Sequence, residues 1–276
     1  MMNEEKRLDD GEKAYGLPSL AEQGVEITTR DDQSDFASLL DAAKLARRSG
    51  GRLRLVDTGR FSTFELEWLA EAGADIYTSD ESRPEKAELG LLAKACARGE
   101  AVIAYFHHGV LSGDPGAGPT SSVFLAEAGR DGVDIHISSR ERARDLQALA
   151  EIAHDCRGAR SRLVYYHHGS LEDGLAGLAR SGGWVHLSDL RLPAGDQGAL
   201  LADIAAEASA SGSGLVIHIE KGLPAETVRD LLEAGAFVLF KTPPADRGSS
   251  FRALEQRARK RALDKRAYYL YPDFLP

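Results

Sequence analysis

The sequence predicts an α/β fold: a parallel (βα) barrel built from about four βαβα repeats, with a polar interior. Three observations carry this. Short β-like runs and stretches of helical periodicity alternate along the chain, the pattern of parallel strands joined by crossover helices. A short helix with a fixed ending recurs as "LAEAGAD" (69–75), "LAEAGRDGVD" (125–134), "LARSGGW" (178–184) and "LLEAGAF" (231–237). One strand ending is written twice, as "VIAYFHHGV" (102–110) and "LVYYHHGS" (163–170).

The elements follow in order. The N-terminal "MMNEEKRLDDGEKAYG" is charged and has no apolar core of a signal peptide. Residues 1–22 therefore read as a mobile tail, and 23–276 as one barrel domain. The strand candidates are "VEITT" (25–29), "LRLVD" (53–57), "DIYTS" (75–79), "VIAYFH" (102–107), "VDIHIS" (133–138), "LVYYHH" (163–168), "WVHLS" (184–188), "LVIHIE" (215–220) and "FVLFK" (237–241). Helical stretches such as "SDFASLLDAAKLARRSG" (34–50) and "RDLQALAEIAHDC" (144–156) lie between them. The glycine after each short helix suits a left-handed C-cap, and the next strand follows at once. The repeated unit is strand, long helix, strand, short helix, about 50 residues long. Nine strand candidates, with "AYYLYPDF" (267–274) as a tenth, exceed the eight of a standard barrel. Either one or two runs lie outside the barrel, or the sheet is larger or open.

The run "VIHIEKGLPAETVRDLLEAGAFVLFKTPPADRGSS" (216–250) resembles the closing end of phosphate-binding (βα)8, TIM-type barrels. There a strand, a Gly-rich turn, a short helix, "EAGA" and a final strand lead to an anion site. The resemblance implies a TIM-like barrel and little chemistry. This chain departs from it at Lys241-Thr242-Pro243-Pro244, where a small pair such as Gly-Ser usually ends the strand.

Apolar residues make up 43% of the 276, enough for a sizeable core, and the net charge is −9. A nucleic-acid binder would show a basic balance or stripe. The one cationic cluster, "RALEQRARKRALDKR" (252–266), reads as a solvated helix face. Cys96 and Cys156 are far apart and read as buried small apolar residues of a reducing compartment. No run reaches the ~18 apolar residues of a membrane span. The expectation is a soluble, cytoplasmic protein, with self-association open.

Strand parity then selects interior residues. With Ile76, Ile135 and Leu187 facing helices, Tyr77, Ser79, His136, Ser138, His186 and Ser188 face inward. So do Glu26, Thr28 and Arg30 at one end of the chain and Lys241 at the other. The other strand type, aligned on its following glycine as "LVDTG", "YFHHG", "YYHHG" and "HIEKG", brings Asp57, His107, His167 and Glu220 into one row. Leu55, Tyr105, Tyr165 and His218 form the row below, and Lys221 stands at the rim. Barrel interiors are ordinarily layers of Val, Ile and Leu. A lumen of Tyr, His, Ser and charged groups is costly unless each is paired or solvated.

Two imidazoles and two carboxylates suit a divalent metal such as Zn, Mn or Fe(II), with Asp57, His107, His167 and Glu220 as ligands. The competing reading is a metal-free hydrogen-bonded network. His136, His186 and His218 would orient ligands or act as a general base; taken alone, each reads first as a satisfied lumen histidine. Lys241 is the candidate for Schiff-base chemistry, or, with Arg30, for holding an anion. Tyr105, Tyr165, Lys221 and Arg247 complete the candidate substrate contacts. The Gly- and Pro-rich "GVLSGDPGAGPTSS" (109–122) is a candidate lid or a plain surface loop. The leading expectation is an enzyme acting on a small anionic (phosphorylated or carboxylated) metabolite by metal-assisted lyase, isomerase or hydrolase chemistry. The alternatives are a metal-free His/Lys lyase or dehydratase, and a catalytically silent ligand- or protein-binding barrel.

Overall fold

The computed structural model describes residues 6–7, 16–112, 114, 121–159, 161–190, 192, 198–240, 252–253, 256–258 and 260. Strands and helices alternate strictly: β1 (Lys6–Arg7), α1 (Leu17–Glu22), β2 (Glu26–Arg30), α2 (Phe36–Ser49), β3 (Arg52–Val56), α3 (Thr63–Glu71), β4 (Asp75–Ser79), α4 (Lys86–Gly99), β5 (Ile103–His107), α5 (Ser121–Arg130), β6 (Asp134–Ser138), α6 (Leu146–Gly158), β7 (Leu163–Tyr166), α7 (Gly174–Arg180), β8 (Trp184–Ser188), α8 (Gly198–Ser211), β9 (Leu215–Ile219), α9 (Ala225–Glu233) and β10 (Phe237–Phe240). All nine predicted runs are strands. The further strand is β1, which pairs in parallel with β2; residues 267–274 lie outside the described residues.

Two parts of the segment read as a tail are regular structure, β1 (Lys6–Arg7) and α1 (Leu17–Glu22). Leu17–Glu22 form a helix with Pro18 in its first turn, and Leu17 and Ala21 are buried. Six residues are too few to show a helical period in the sequence; packing against α2 supplies the stability.

The chain forms two compact units, Met1–Gly109 with Glu127–Ile135, and Val110–Ala126 with His136–Pro276. In the first, β1 to β5 pair in sequence order, all parallel. In the second, β7 to β10 do the same. Parallel strands in sequence order, each followed by a helix, are the winding of a (βα) barrel, the predicted fold class. The left-handed C-caps are present at Gly73, Gly182 and Gly235, with φ of 106°, 104° and 104°. In α5 the left-handed residue is Gly132, because that helix runs on through Arg130. Cys96 and Cys156 are buried and free. No helix among the described residues is long and apolar enough to cross a membrane.

Register separates the two faces of each sheet. In the first unit Ile27, Leu53, Leu55, Ile76 and Ile103 share one face, nearly all at zero exposure. Glu26, Thr28, Arg30, Arg54, Val56, Tyr77, Ser79, Ala104 and Phe106 share the other. In the second unit Tyr165, Val185, Leu187, Leu215 and Ile217 share the apolar face; Tyr166, His186, Ser188 and His218 share the polar one. Right-handed crossovers in a sequentially ordered sheet put the helices on one face, here the apolar one.

Candidate active site

This register corrects one predicted row. Tyr77, Ser79, His186 and Ser188 lie on the polar face as expected. Asp57, Tyr105 and His107 do not, since they alternate with Val56, Ala104 and Phe106 and fall on the helix side. Tyr165 and His167 do likewise. His218 and Glu220 remain on the polar face. His167 and Glu220 therefore stand on opposite faces of one sheet and cannot form a row.

The cause is a one-residue shift that alignment on glycine hides. The residue after each first-type strand donates its N–H to a fixed place on the next strand: Asp31 to Val56 O, Asp80 to Phe106 O, Ser139 to Tyr166 O and Asp189 to His218 O. Val56, Phe106, Tyr166 and His218 are thus equivalent. The residues two further on are Thr58, His108, His168 and Glu220. The second histidine of each pair, not the first, matches Glu220.

Those same four residues build the strand ends, a role the sequence reading missed. Asp31 accepts from the Thr58 N–H at 3.1 Å and its hydroxyl at 2.6 Å. Asp80 accepts from the N–H groups of His108 and Gly109 at 3.0 and 2.8 Å. Ser139 Oγ accepts from His168 N–H at 2.8 Å. Asp189 accepts from Glu220, Lys221 and Gly222 at 2.8, 3.1 and 2.7 Å. The signal was present as "TTRD", "YTSD", "HISS" and "HLSD", one residue past each strand.

On the polar face of the second unit, four ring side chains run across four strands. His136 Nδ1 lies 3.0 Å from Tyr166 Oη. The Tyr166 and His186 rings are 4.7 Å apart, and His186 Nδ1 lies 2.9 Å from His218 Nε2. His136 and His186 have no solvent exposure, and His218 has 4%. Burial pushes the His136 and His186 pKa values down to about 3, so both rings are neutral at neutral pH. One imidazole of the His186–His218 pair then donates and the other accepts, which couples their tautomers. Above them, at the strand end, Ser188 Oγ is 3.3 Å from Glu220 Oε1. Glu220 is partly exposed and Lys221 is exposed.

In the first unit Asp57 is saturated. Its carboxylate accepts from Arg83 Nε at 2.9 Å and Nη2 at 3.2 Å, Thr78 Oγ1 at 2.7 Å and Gly59 N–H at 2.9 Å. A carboxylate with four donors has no lone pair left for a metal. His107 is held differently. Asp80 Oδ2 stands 3.0 Å from its Nδ1, off the line of a straight hydrogen bond. Burial raises the Asp80 pKa, but His107 and the N–H groups of His108 and Gly109 outweigh it and hold it below the usual range. His107 Nε2 is buried and has no hydrogen-bond partner among the described residues.

His167, its repeat counterpart, is satisfied on both sides. Nε2 faces the Ser170 carbonyl at 2.8 Å, so it carries the proton, and Nδ1 accepts from Tyr165 Oη at 3.2 Å. Burial pushes the Tyr165 pKa up to about 12, keeping that donor protonated.

Arg30 already pairs with Asp32 through two 3.0 Å hydrogen bonds and is exposed. Glu26 pairs with Arg54 at 2.8 Å. Lys241 and Arg247 lie outside the described residues, as does most of the Gly/Pro-rich loop. Among the described residues, no three His, Cys, Asp or Glu side chains are grouped to hold one ion.

No protein-family model matches the chain, and no curated protein matches it in sequence. Solved structures similar to it include 3-dehydroquinate dehydratase from Aquifex aeolicus VF5 (16% identity, TM-score 0.36, covering 67% of this chain and 87% of that one). Deoxyribose phosphate aldolase from Aeropyrum pernix matches at 15% identity and TM-score 0.35, over 91% and 95%. An HpcH/HpaI aldolase from Desulfitobacterium hafniense DCB-2 matches at 12% and 0.35, over 99% and 93%.

Proposed function

We propose that the protein is an enzyme acting on a small anionic metabolite by acid–base chemistry of the lyase or isomerase type, at the strand ends of the second unit. One observation carries the reading: the buried His136–Tyr166–His186–His218 chain leads along the polar face toward Glu220. A core needs no such chain, and four polar rings cost desolvation that Val and Leu would not. Glu220, within reach of solvent, takes the substrate proton. His218, two residues before it on the same face, orients the site, and the coupled rings behind it accommodate a change of tautomer.

The test is solvent deuterium exchange. A panel of phosphorylated and carboxylated hydroxy- and keto-metabolites is incubated with the protein in D2O and followed by proton NMR. Exchange next to a carbonyl is expected with at least one member. Glu220→Gln should slow it by about 100-fold and His218→Gln by about tenfold or more. Wild-type rates in Glu220→Gln would overturn the assignment.

Metal assistance is the second reading, and one observation favours it. His107 turns one ring nitrogen to a carboxylate and leaves the other without a partner, the arrangement of a metal-bound imidazole. Zn, Mn or Fe(II) would fit such a donor. Elemental analysis of the purified wild type and His107→Ala checks it: equal metal content in both would refute a ligand role for His107.

A further inference from the structure

At the opposite ends of the strands, the two units carry the same substructure in two states. Backbone hydrogen bonds make the equivalence residue by residue. Gly51 and Ser161 donate to Ala46 O and Cys156 O, so Arg47 matches Arg157 and Arg52 matches Arg162. Ala74 and Gly183 donate to Leu69 O and Leu178 O, which equates Gly73 with Gly182 and Asp75 with Trp184. Register agrees: Arg54 pairs with Asp75 as Val164 pairs with Trp184. Ala101 and Ser213 donate to Cys96 O and Ala208 O, so Glu100 matches Gly212.

In the first unit two carboxylates neutralise the two arginines. Arg52 is 3.1 Å from Asp75 Oδ1, and Arg47 is 3.6 Å from Glu100 Oε2. Glu100 is the one non-glycine residue with positive φ, 56°, among the described residues. In the second unit both arginines remain, with Trp184 at the position of Asp75 and Gly212 at that of Glu100. A pocket of about 270 Å³ lies there, lined by Arg157, Arg162, Trp184, Gly212 and three serines. The stem of Arg157 lies against Gly182 as that of Arg47 lies against Gly73. No carboxylate pairs with Arg157 among the described residues, and Arg162 is held over the Trp184 ring at 4.8 Å.

We infer that this pocket binds a small oxyanion, a carboxylate or phosphate, beside Arg157 as the Glu100 carboxylate stands beside Arg47 in the first unit. Arg157 supplies the principal charge and its planar fork suits either group. Helix C-termini converge here and would repel an anion. The serines answer that: Ser161 donates to Cys156 O at 3.2 Å, Ser211 to Ala179 O at 2.7 Å and Ser213 to Ala179 O at 3.2 Å. The carbonyl ends are thereby capped. The site lies at the strand ends away from Glu220 and is independent of the proposed reaction.

Calorimetric titration with inorganic phosphate, and separately with acetate, tests it in the full chain. Saturable binding tighter than about 10 mM is expected for at least one of them; phosphate alone or acetate alone identifies which group the site takes. Arg157→Met, at an exposed position, should weaken it about tenfold or more. Gly212→Glu copies the first unit, where glutamate holds the same left-handed conformation. It should abolish binding and raise the melting temperature without ligand. No saturable heat with either anion, or wild-type affinity in Arg157→Met, overturns the inference.

Discussion

Acidification should loosen the second unit through two buried rings. His136 and His186 have folded pKa values near 3, against about 6.5 in an unfolded chain. Between those values the unfolded state binds more protons, so stability is present above about pH 6.5 and is lost as pH falls toward 3. At pH 5 the unfolded ring is almost fully protonated and the folded one is not. The loss is then about 2 kcal/mol per ring, about 4 kcal/mol together. That is a large part of the 5–15 kcal/mol that typically holds a domain. Urea unfolding at closely spaced pH values between 7 and 5 measures the slope, which gives the protons taken up. At pH 5.5, His136→Gln and His186→Gln should each remove about 0.9 proton from that uptake. Groups away from the chain contribute equally to wild type and variant, so the difference reports the replaced ring and the histidines that touch it. A slope unchanged in both variants would mean that the rings already take up protons in the folded state and are not a buried neutral chain.

Two further outcomes follow from the first unit and its repeat. Arg83→Met should cost about 3–5 kcal/mol, because the Asp57 side chain has no exposure and would be left as an unpaired buried charge; a loss under about 1 kcal/mol in urea unfolding would show that water reaches it. A methyl on Gly109 would sit 2.6 Å from His107 Cε1, and one on Gly169 3.0 Å from His167 Cε1. Gly109→Ala should therefore cost about 1–3 kcal/mol and Gly169→Ala less, with thermal unfolding as the measure; the reverse order would show that the His107 ring swings freely.

The strands were legible because each run is short, apolar or β-branched, and ends at a glycine or a charged turn. Parity was legible only where one face contrasts with the other. In "VDIHIS" and "WVHLS" it does, and His136 and His186 were placed on the correct face. All four strands are buried on both sides, but in "YFHHG" and "YYHHG" aromatics and histidines fall on both faces, so period 2 carries no contrast. The glycines offered a register and misled. Glycine follows His107 and His167 because the ring lies against it, as the 2.6 and 3.0 Å approaches record. "HIEKG" has no such ring: Ile219 takes the histidine's place, and its glycine stands one residue later.

The doubled histidines thus come from repetition, yet repetition does not decide what each does. His107 and His167 have the same neighbours in sequence, a tyrosine two residues before and a histidine and glycine after. They differ in what the preceding strand brings to them. Asp80 reaches His107 with a carboxylate, whereas the matching residue of the next repeat is Ser139, whose hydroxyl is spent on the His168 N–H. With a carboxylate no nearer Nδ1 than Glu172 at 3.9 Å, His167 takes its own Tyr165 hydroxyl and turns Nε2 to a carbonyl, closing both its hydrogen bonds locally. With the anion, His107 keeps Nε2 buried and unspent, at a cost of about 1–3 kcal/mol that packing alone does not require. Ser139→Asp in the third copy would set the two against each other: if the carboxylate is the cause, His167 should leave the Ser170 carbonyl, visible as a changed ring-nitrogen shift in nitrogen NMR, and an unchanged shift would place the cause in the loops instead.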